Sequence, residues 1–276
     1  MGPRIFGIPA SRAPVVAVIR RGPSDWMHLG RWDLGTPSYE PGAWLHGTIY
    51  PQRCDLSPDG SWFAYFAMSQ AADWELGAMY IAISRLPWLT ALAAWGIGNT
   101  WTRGMQFVED AAVREVNDPD IGGLTTLYER FGLRMSRADS FAVERRRGWT
   151  ETADTPPRDP GDSWDEARGD RIVMEKLRPG SDGSERLTVN GTYAAIRELH
   201  GVRTDVRYEV CRGDRAAVLE DIQWAEWDSA GRLLVATRQG RLQIRAPADA
   251  ASVVWEADEA AFEPDPTPPP PEASKW

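Results

Sequence analysis

A chain of 276 residues with 42% hydrophobic and 26% charged residues has ordinary globular composition, which excludes wholesale disorder and allows one large core or two small ones. The net charge of −9 is concentrated in 151–170 and 249–276, leaving the rest nearly neutral, so the basic footprint of a nucleic-acid binder is missing. Fourteen Trp, with 25 Gly and 21 Pro, point to many short strands bounded by turns.

Residues 1–13 read as an irregular lead-in, and Met1 to Arg21, with Arg4, Pro9, Arg12 and Pro14, lacks the continuous apolar stretch expected of a signal peptide. Pro14 to Arg20 is the first strand, turned at Gly22-Pro23-Ser24-Asp25. Trp26 to Leu34 returns, with Trp26, His28, Gly30 and Trp32 on one face. Gly35-Thr36-Pro37 and Pro41-Gly42 break the chain before a strand from Trp44 to Tyr50. Arg53 to Met68 then has the form of strand, tight turn and strand. In the Ser57-Pro58-Asp59-Gly60 turn, Pro58 presets φ, Ser57 and Asp59 can bond the local backbone, and Gly60 supplies a positive φ. The aromatic run Trp62 to Phe66 predicts a buried strand. Ala78 to Ser84 and Trp88 to Trp95 are two more. The longest apolar run, Leu86 to Ile97, is broken by Pro87 and Thr90 and falls short of the ~20 residues of a membrane span, so no membrane partner is expected.

From 118 to 132 the period changes. Ile121, Leu124, Leu127, Tyr128 and Phe131 recur at helical spacing between Pro119 and Gly132, which predicts one short inserted helix. Ser140 to Trp149 reads as a strand. It carries Arg145-Arg146-Arg147, with Arg134 and Arg137 upstream, but Asp139 and Glu144 sit among them, as on a solvated strand end. Residues 151–170, rich in Pro, Gly and acids, predict a long loop. Strands resume at Arg171 to Leu177, Leu187 to Val189, Thr192 to Leu199 and Asp205 to Val210, the last with strict alternation. Trp224 to Trp227, Leu233 to Thr237, Arg241 to Arg245 and Val253 to Trp255 follow, with a hairpin signal at Arg238-Gln239-Gly240. Residues 263–276 form a Pro-rich tail, expected to be disordered and extended. The organisation expected is therefore one domain over 14–262.

Chemical signals are sparse. His28, His46, His200, Cys54 and Cys211 lack paired metal-ligand spacing, so no metal and no cofactor is expected, and both Cys read as buried free thiols. No nucleophile elbow is present, and no catalytic residue is assigned. Gly96-Ile97-Gly98 lacks the third glycine of a dinucleotide loop. Asp33, Asp55, Glu226 and Asp228 lie near strand ends and are the carboxylates that would serve a hydrolase. Asn190-Gly191-Thr192 fits a glycosylation acceptor without a secretion signal, and Arg212-Gly213-Asp214 reads as a turn. Lysine is confined to Lys176 and Lys275, which fits the codon bias of a GC-rich bacterial genome.

A second copy of the turn pattern follows Glu226. Leu56 to Phe63 aligns with Trp227-Asp228-Ser229-Ala230-Gly231-Arg232-Leu233-Leu234, and Gly60 and Gly231 stand 171 residues apart, near four repeats of ~43 residues. With the apolar strand after each, these segments resemble the blades of WD-repeat-like β-propellers. The resemblance implies a mainly β, propeller-like fold of about five to six blades, with Ser57, Pro58, Asp59, Gly60, Asp228 and Gly231 as structural turn residues. Trp32, Trp62, Trp95, Trp224, Trp227 and Trp255 would pack between blades. A β-sandwich or two small β domains is the alternative fold. Such blades carry no activity of their own. A cytoplasmic, non-enzymatic module that binds another protein is the expected function. The alternatives are a carbohydrate-active hydrolase using the four carboxylates, or a sugar-binding propeller using Trp26, Trp44, Trp74, Trp88 and Trp101.

Overall fold

The computed structural model describes residues 3–69, 76–97, 104–109, 112–116, 134–136, 142–152, 171–192, 206–247 and 249–276. The fold is mainly β and built from antiparallel meanders like those of propeller blades. Its contacts fall into two compact units, one of Pro3–Phe141 with Ala261–Trp276 and one of Ala142–Ala260. The helix expected at 118–132, most of the loop 151–170 and the strand expected beyond Thr192 lie outside the described residues.

The first unit opens with a correction. The segment expected as an irregular lead-in contains strand β1 (Arg4–Pro9), which pairs antiparallel with β2 (Val15–Arg21). Ile5, Phe6 and Ile8 are buried there, and this apolar contact outweighs the strand-weakening Gly7 and Pro9. Pro9 is tolerated because it occupies the last strand position, and the Ala10 amide closes the ladder on Val15 O at 2.8 Å. Strands β3 (Trp26–Asp33) and β4 (Ser38–Ile49) continue the meander. Pro41 and Gly42 do not end β4; the register slips where Pro41 faces Gly30, so the bulge absorbs the missing donor. The end of β4, Gly47–Ile49, leaves β3 and pairs with β6 (Trp62–Ser69), making one eight-stranded sheet. Strands β5 (Asp55–Leu56), β7 (Met79–Arg85) and β8 (Ala93–Gly96) complete it. A three-stranded sheet holds β9 (Met105–Glu109), β10 (Ala112–Val116) and β11 (Arg134–Ser136), the last pair parallel.

The Pro-rich segment also departs from expectation. The Phe262 carbonyl accepts a 2.8 Å bond from the buried Arg20, and its ring lies 6.0 Å from His28 and 5.9 Å from Tyr39. Pro271–Ser274 forms a 3₁₀ turn with Ala273 buried. Lys275 O accepts from Arg85 at 3.4 Å, and Trp276 packs on Trp62 with ring centroids 5.7 Å apart. Pro270 is extended, with φ −66° and ψ 156°, and aromatic residues at both ends of the segment give it surface to bury.

In the second unit, α1 (Ala142–Arg146) replaces the strand expected around the triple arginine. Glu144 in its first turn and Arg145 and Arg146 in its last suit the helix dipole. Gly148 follows with φ +89°, and its amide bonds Arg145 O at 2.9 Å. A five-stranded sheet runs in chain order through β12 (Trp149–Glu151), β13 (Arg171–Leu177), β14 (Glu185–Thr192), β15 (Arg207–Arg212) and β16 (Arg215–Val218). A four-stranded sheet follows as β17 (Ile222–Trp227), β18 (Leu233–Thr237), β19 (Arg241–Ala246) and β20 (Asp249–Asp258). Every residue of β17 and β18 is buried; β18 accordingly reads as an apolar run, while β17 admits Gln223 and Glu226 because both are paired. Trp32, Trp62, Trp95, Trp224 and Trp227 are buried, while Trp255 is half-buried.

Candidate functional site

The two turns matched in sequence share one hydrogen-bond plan. In the first, Gly60 N donates to Ser57 O at 2.9 Å, and Ser57 Oγ accepts from Ser61 N at 3.2 Å and Trp62 N at 2.8 Å. In the second, Gly231 N donates to Asp228 O at 3.0 Å, and Asp228 Oδ1 accepts from Arg232 N at 2.7 Å. A hydroxyl and a carboxylate therefore do the same work, each bonding the amide four residues on. Gly60 (φ +76°) and Gly231 (φ +74°) hold the left-handed position both turns need. Pro58 O adds a tie to the β1–β2 loop, accepting from Arg12 N and Ala13 N at 3.0 Å each. Asp59 accepts from the Ser57 hydroxyl at 2.5 Å and from Ser61 N at 3.1 Å. Burial works to raise the Asp59 carboxyl, but these bonds hold it below the ordinary carboxylate value.

The candidate catalytic carboxylates serve the fold. Asp33 Oδ1 accepts from Gly35 N and Thr36 N in its own turn. Asp55 is fully buried, and its two oxygens accept from Leu56 N at 2.9 Å and Phe107 N at 2.7 Å, tying β5 to β9. Glu226 is 3% exposed. It takes Lys176 Nζ at 2.7 Å, Trp149 Nε1 at 2.8 Å and Trp227 N at 2.9 Å. Lys176 also donates to Trp227 O at 3.1 Å, so this ion pair is well satisfied. Asp228 is committed to its turn and to Arg232 Nε at 2.7 Å.

The other candidates are equally engaged. His28 is buried, accepts from Gly42 N at 3.3 Å and stacks on Trp44 at 4.4 Å; His46 is exposed beside Trp26. Burial pushes the Cys54 thiol well up, and the group donates to Tyr50 O at 3.1 Å; Cys211 is also buried and free. His200, Trp74 and Trp101 lie outside the described residues. Trp26 and Trp44 are half-buried and meet edge to face at 83°, not as a flat platform. Asn190 sits within β14 and accepts from Arg171 Nε at 3.0 Å. Among the described residues no three His, Cys, Asp or Glu converge to hold a metal ion. No helix among them is long and apolar enough to cross a membrane.

What stands open is a cleft of about 930 Å³ in the second unit, between β15–β16 and β19–β20. Its walls carry small side chains, Ala216 and Ala217 on one side and Ala250 and Ala251 on the other. Strands β16 and β20 each end their sheet among the described residues; β16 presents a backbone edge, whereas Ala250 O and Ala251 N of β20 are taken by Arg245 and Asp249. Beyond the cleft β20 exposes Val253 (44%) and Val254 (60%).

Three arginines line the same cleft. Arg212 forms an ion pair with Glu185 at 2.9 Å and donates to Pro247 O at 2.8 Å. Arg245 bonds Gln243 Oε1 twice, at 3.0 and 2.8 Å, and Ala250 O at 3.0 Å; burial lowers its pKa from the ordinary value. Arg215 is exposed, and its side chain has no partner among the described residues. Reading Arg212-Gly213-Asp214 as a turn missed this arrangement. That turn sets Arg212 opposite Arg215 in the β15–β16 register, and only the fold brings Arg245 to them.

No protein-family model matches the chain, and no curated protein sequence matches it. Among solved structures, an uncharacterised protein of Listeria monocytogenes is similar over 91% of this chain at 8% identity and TM-score 0.26. This chain spans about half of that one, 52% of its length. The β-propeller domain of the Trilobed protease from Pyrococcus furiosus is similar over 88% of this chain and 83% of its own, at 11% identity and TM-score 0.32.

Proposed function

We propose that the protein is a non-enzymatic interaction module of WD-repeat-like, propeller-type build, and that the cleft between β16 and β20 receives an extended segment of another protein. One observation carries this reading. The four candidate carboxylates, His28 and Cys54 are engaged inside the fold, whereas the cleft keeps the β16 backbone edge and small side chains open. An incoming strand gains main-chain hydrogen bonds from such an edge, and alternate side chains can settle into the space beside it. Its volume of about 930 Å³ leaves room for the side chains of an extended segment. We place this role in the cytoplasm.

Selection from a random peptide display library against the whole protein tests the reading. Peptides should be enriched on the wild type and lost on Ala217→Trp, which fills the cleft from an exposed position without adding charge. Failure to enrich any peptide, or equal enrichment on the filled variant, would remove the cleft as the binding face.

A further inference from the structure

We infer that the segment taken by this cleft is carboxylate-bearing, with its acidic side chains held by Arg245 and Arg215. The inference rests on the interaction reading above and narrows its partner to an acidic, extended peptide.

The charge arrangement points there. Arg245 is partly buried, and its acceptors, Gln243 Oε1 and Ala250 O, are both neutral. Withdrawing a guanidinium from water without a carboxylate is unfavourable, so the site is left short of negative charge. Three of its five N–H groups are used, and the remaining two can serve a ligand. Arg215 stands on β16 with no carboxylate partner among the described residues. Arg212 contributes a third guanidinium, already shared with Glu185. A ligand carboxylate can take a planar, two-bond grip from such a group, which a neutral amide matches less well.

Two acids also line the cleft, Glu220 and Asp249. Asp249 is occupied by Ala251 N at 3.0 Å, and Glu220 is exposed, where solvent screens it. The lining thus carries three positive and two negative side chains. Selection falls to geometry as well as net charge, and a strand alternating acidic and apolar residues fits. Its apolar side chains would meet Ala217 and Ala251, and its carboxylates the arginines.

The probe is a fluorescein-labelled heptapeptide alternating Glu and Val, compared by anisotropy with its Gln-Val and Lys-Val counterparts on the full chain. The Glu peptide should bind at least ~10-fold tighter than the Gln peptide, the size expected for one charged hydrogen-bonded contact. The Lys peptide should not bind. Arg245→Gln and Arg215→Gln should each weaken the Glu peptide ~5–10-fold and weaken its salt dependence. Arg215 is exposed, so its variant remains informative even if Arg245→Gln perturbs folding. Equal binding of the Glu and Gln peptides, or no binding of either, overturns the acidic-ligand inference. In both cases the library selection separately decides whether the cleft binds peptides at all.

Discussion

Glu226 and Asp55 hold matching places, each two residues ahead of its turn and each accepting the amide of the next residue. Both then reach across to another sheet, Glu226 to β12 and β13 and Asp55 to β9. The repeat therefore preserves a buried acid as a cross-tie, a role invisible in sequence because its partners lie about 50 to 77 residues away. Glu226→Gln should keep only one of the Trp149 and Trp227 bonds, which reach different oxygens, and leave the Lys176 charge without its anion, costing about 3 kcal/mol. The double variant with Lys176→Met should recover the charge part of that loss. Urea unfolding of the three proteins measures it, and a cost under ~1 kcal/mol for the single change would show the pair is not sealed from water. Asp59 supplies the pH prediction. Its folded carboxyl is held below the ordinary value, so in mild acid the unfolded chain binds more protons. Its stabilising share is present above the ordinary carboxylate value and disappears as pH falls through the folded value. Asp59→Asn should therefore flatten the acid side of stability against pH, read from urea midpoints taken from neutral pH downward.

Strands were legible wherever burial on one or both faces left a period of two or an unbroken apolar run. Leu233–Thr237 and Arg171–Leu177 appear at their expected bounds for that reason. Legibility failed where a backbone-breaking residue was compensated by packing. Pro9 ends β1 and Pro41 rides a bulge, and neither compensation shows in composition. The side chains of the triple arginine alone suggest a solvated strand end, whereas a charge order suited to the helix dipole and Gly148 set α1. Prolines dominate the C-terminal segment, although Phe262 and Trp276 anchor it. Trp276→Ala should lower stability by about 1–2 kcal/mol, below the loss for a fully buried Trp because this ring is half-exposed. Urea unfolding measures it, and unchanged stability would mean the contact contributes nothing in solution. Of the cleft, the sequence singles out only Arg212, at the start of the Gly213-Asp214 turn.

The second unit is continuous in sequence and contains its own buried set, including Trp149, Ile172, Trp224, Trp227, Leu234 and Ile244. A fragment of residues 142–260 should therefore fold alone, with a strand-type circular dichroism spectrum and a cooperative thermal transition. A spectrum without strand signal would show that this unit depends on the rest of the chain. The first unit differs, since it combines Pro3–Phe141 with Ala261–Trp276. On the ribosome its missing piece arrives only after all of 142–260 has been made. Until then Trp62 and Arg20 wait without Trp276 and the Phe262 carbonyl. The unit encoded first is thus finished second, and an apolar face spends most of synthesis uncovered, where a chaperone or a neighbouring nascent chain can reach it.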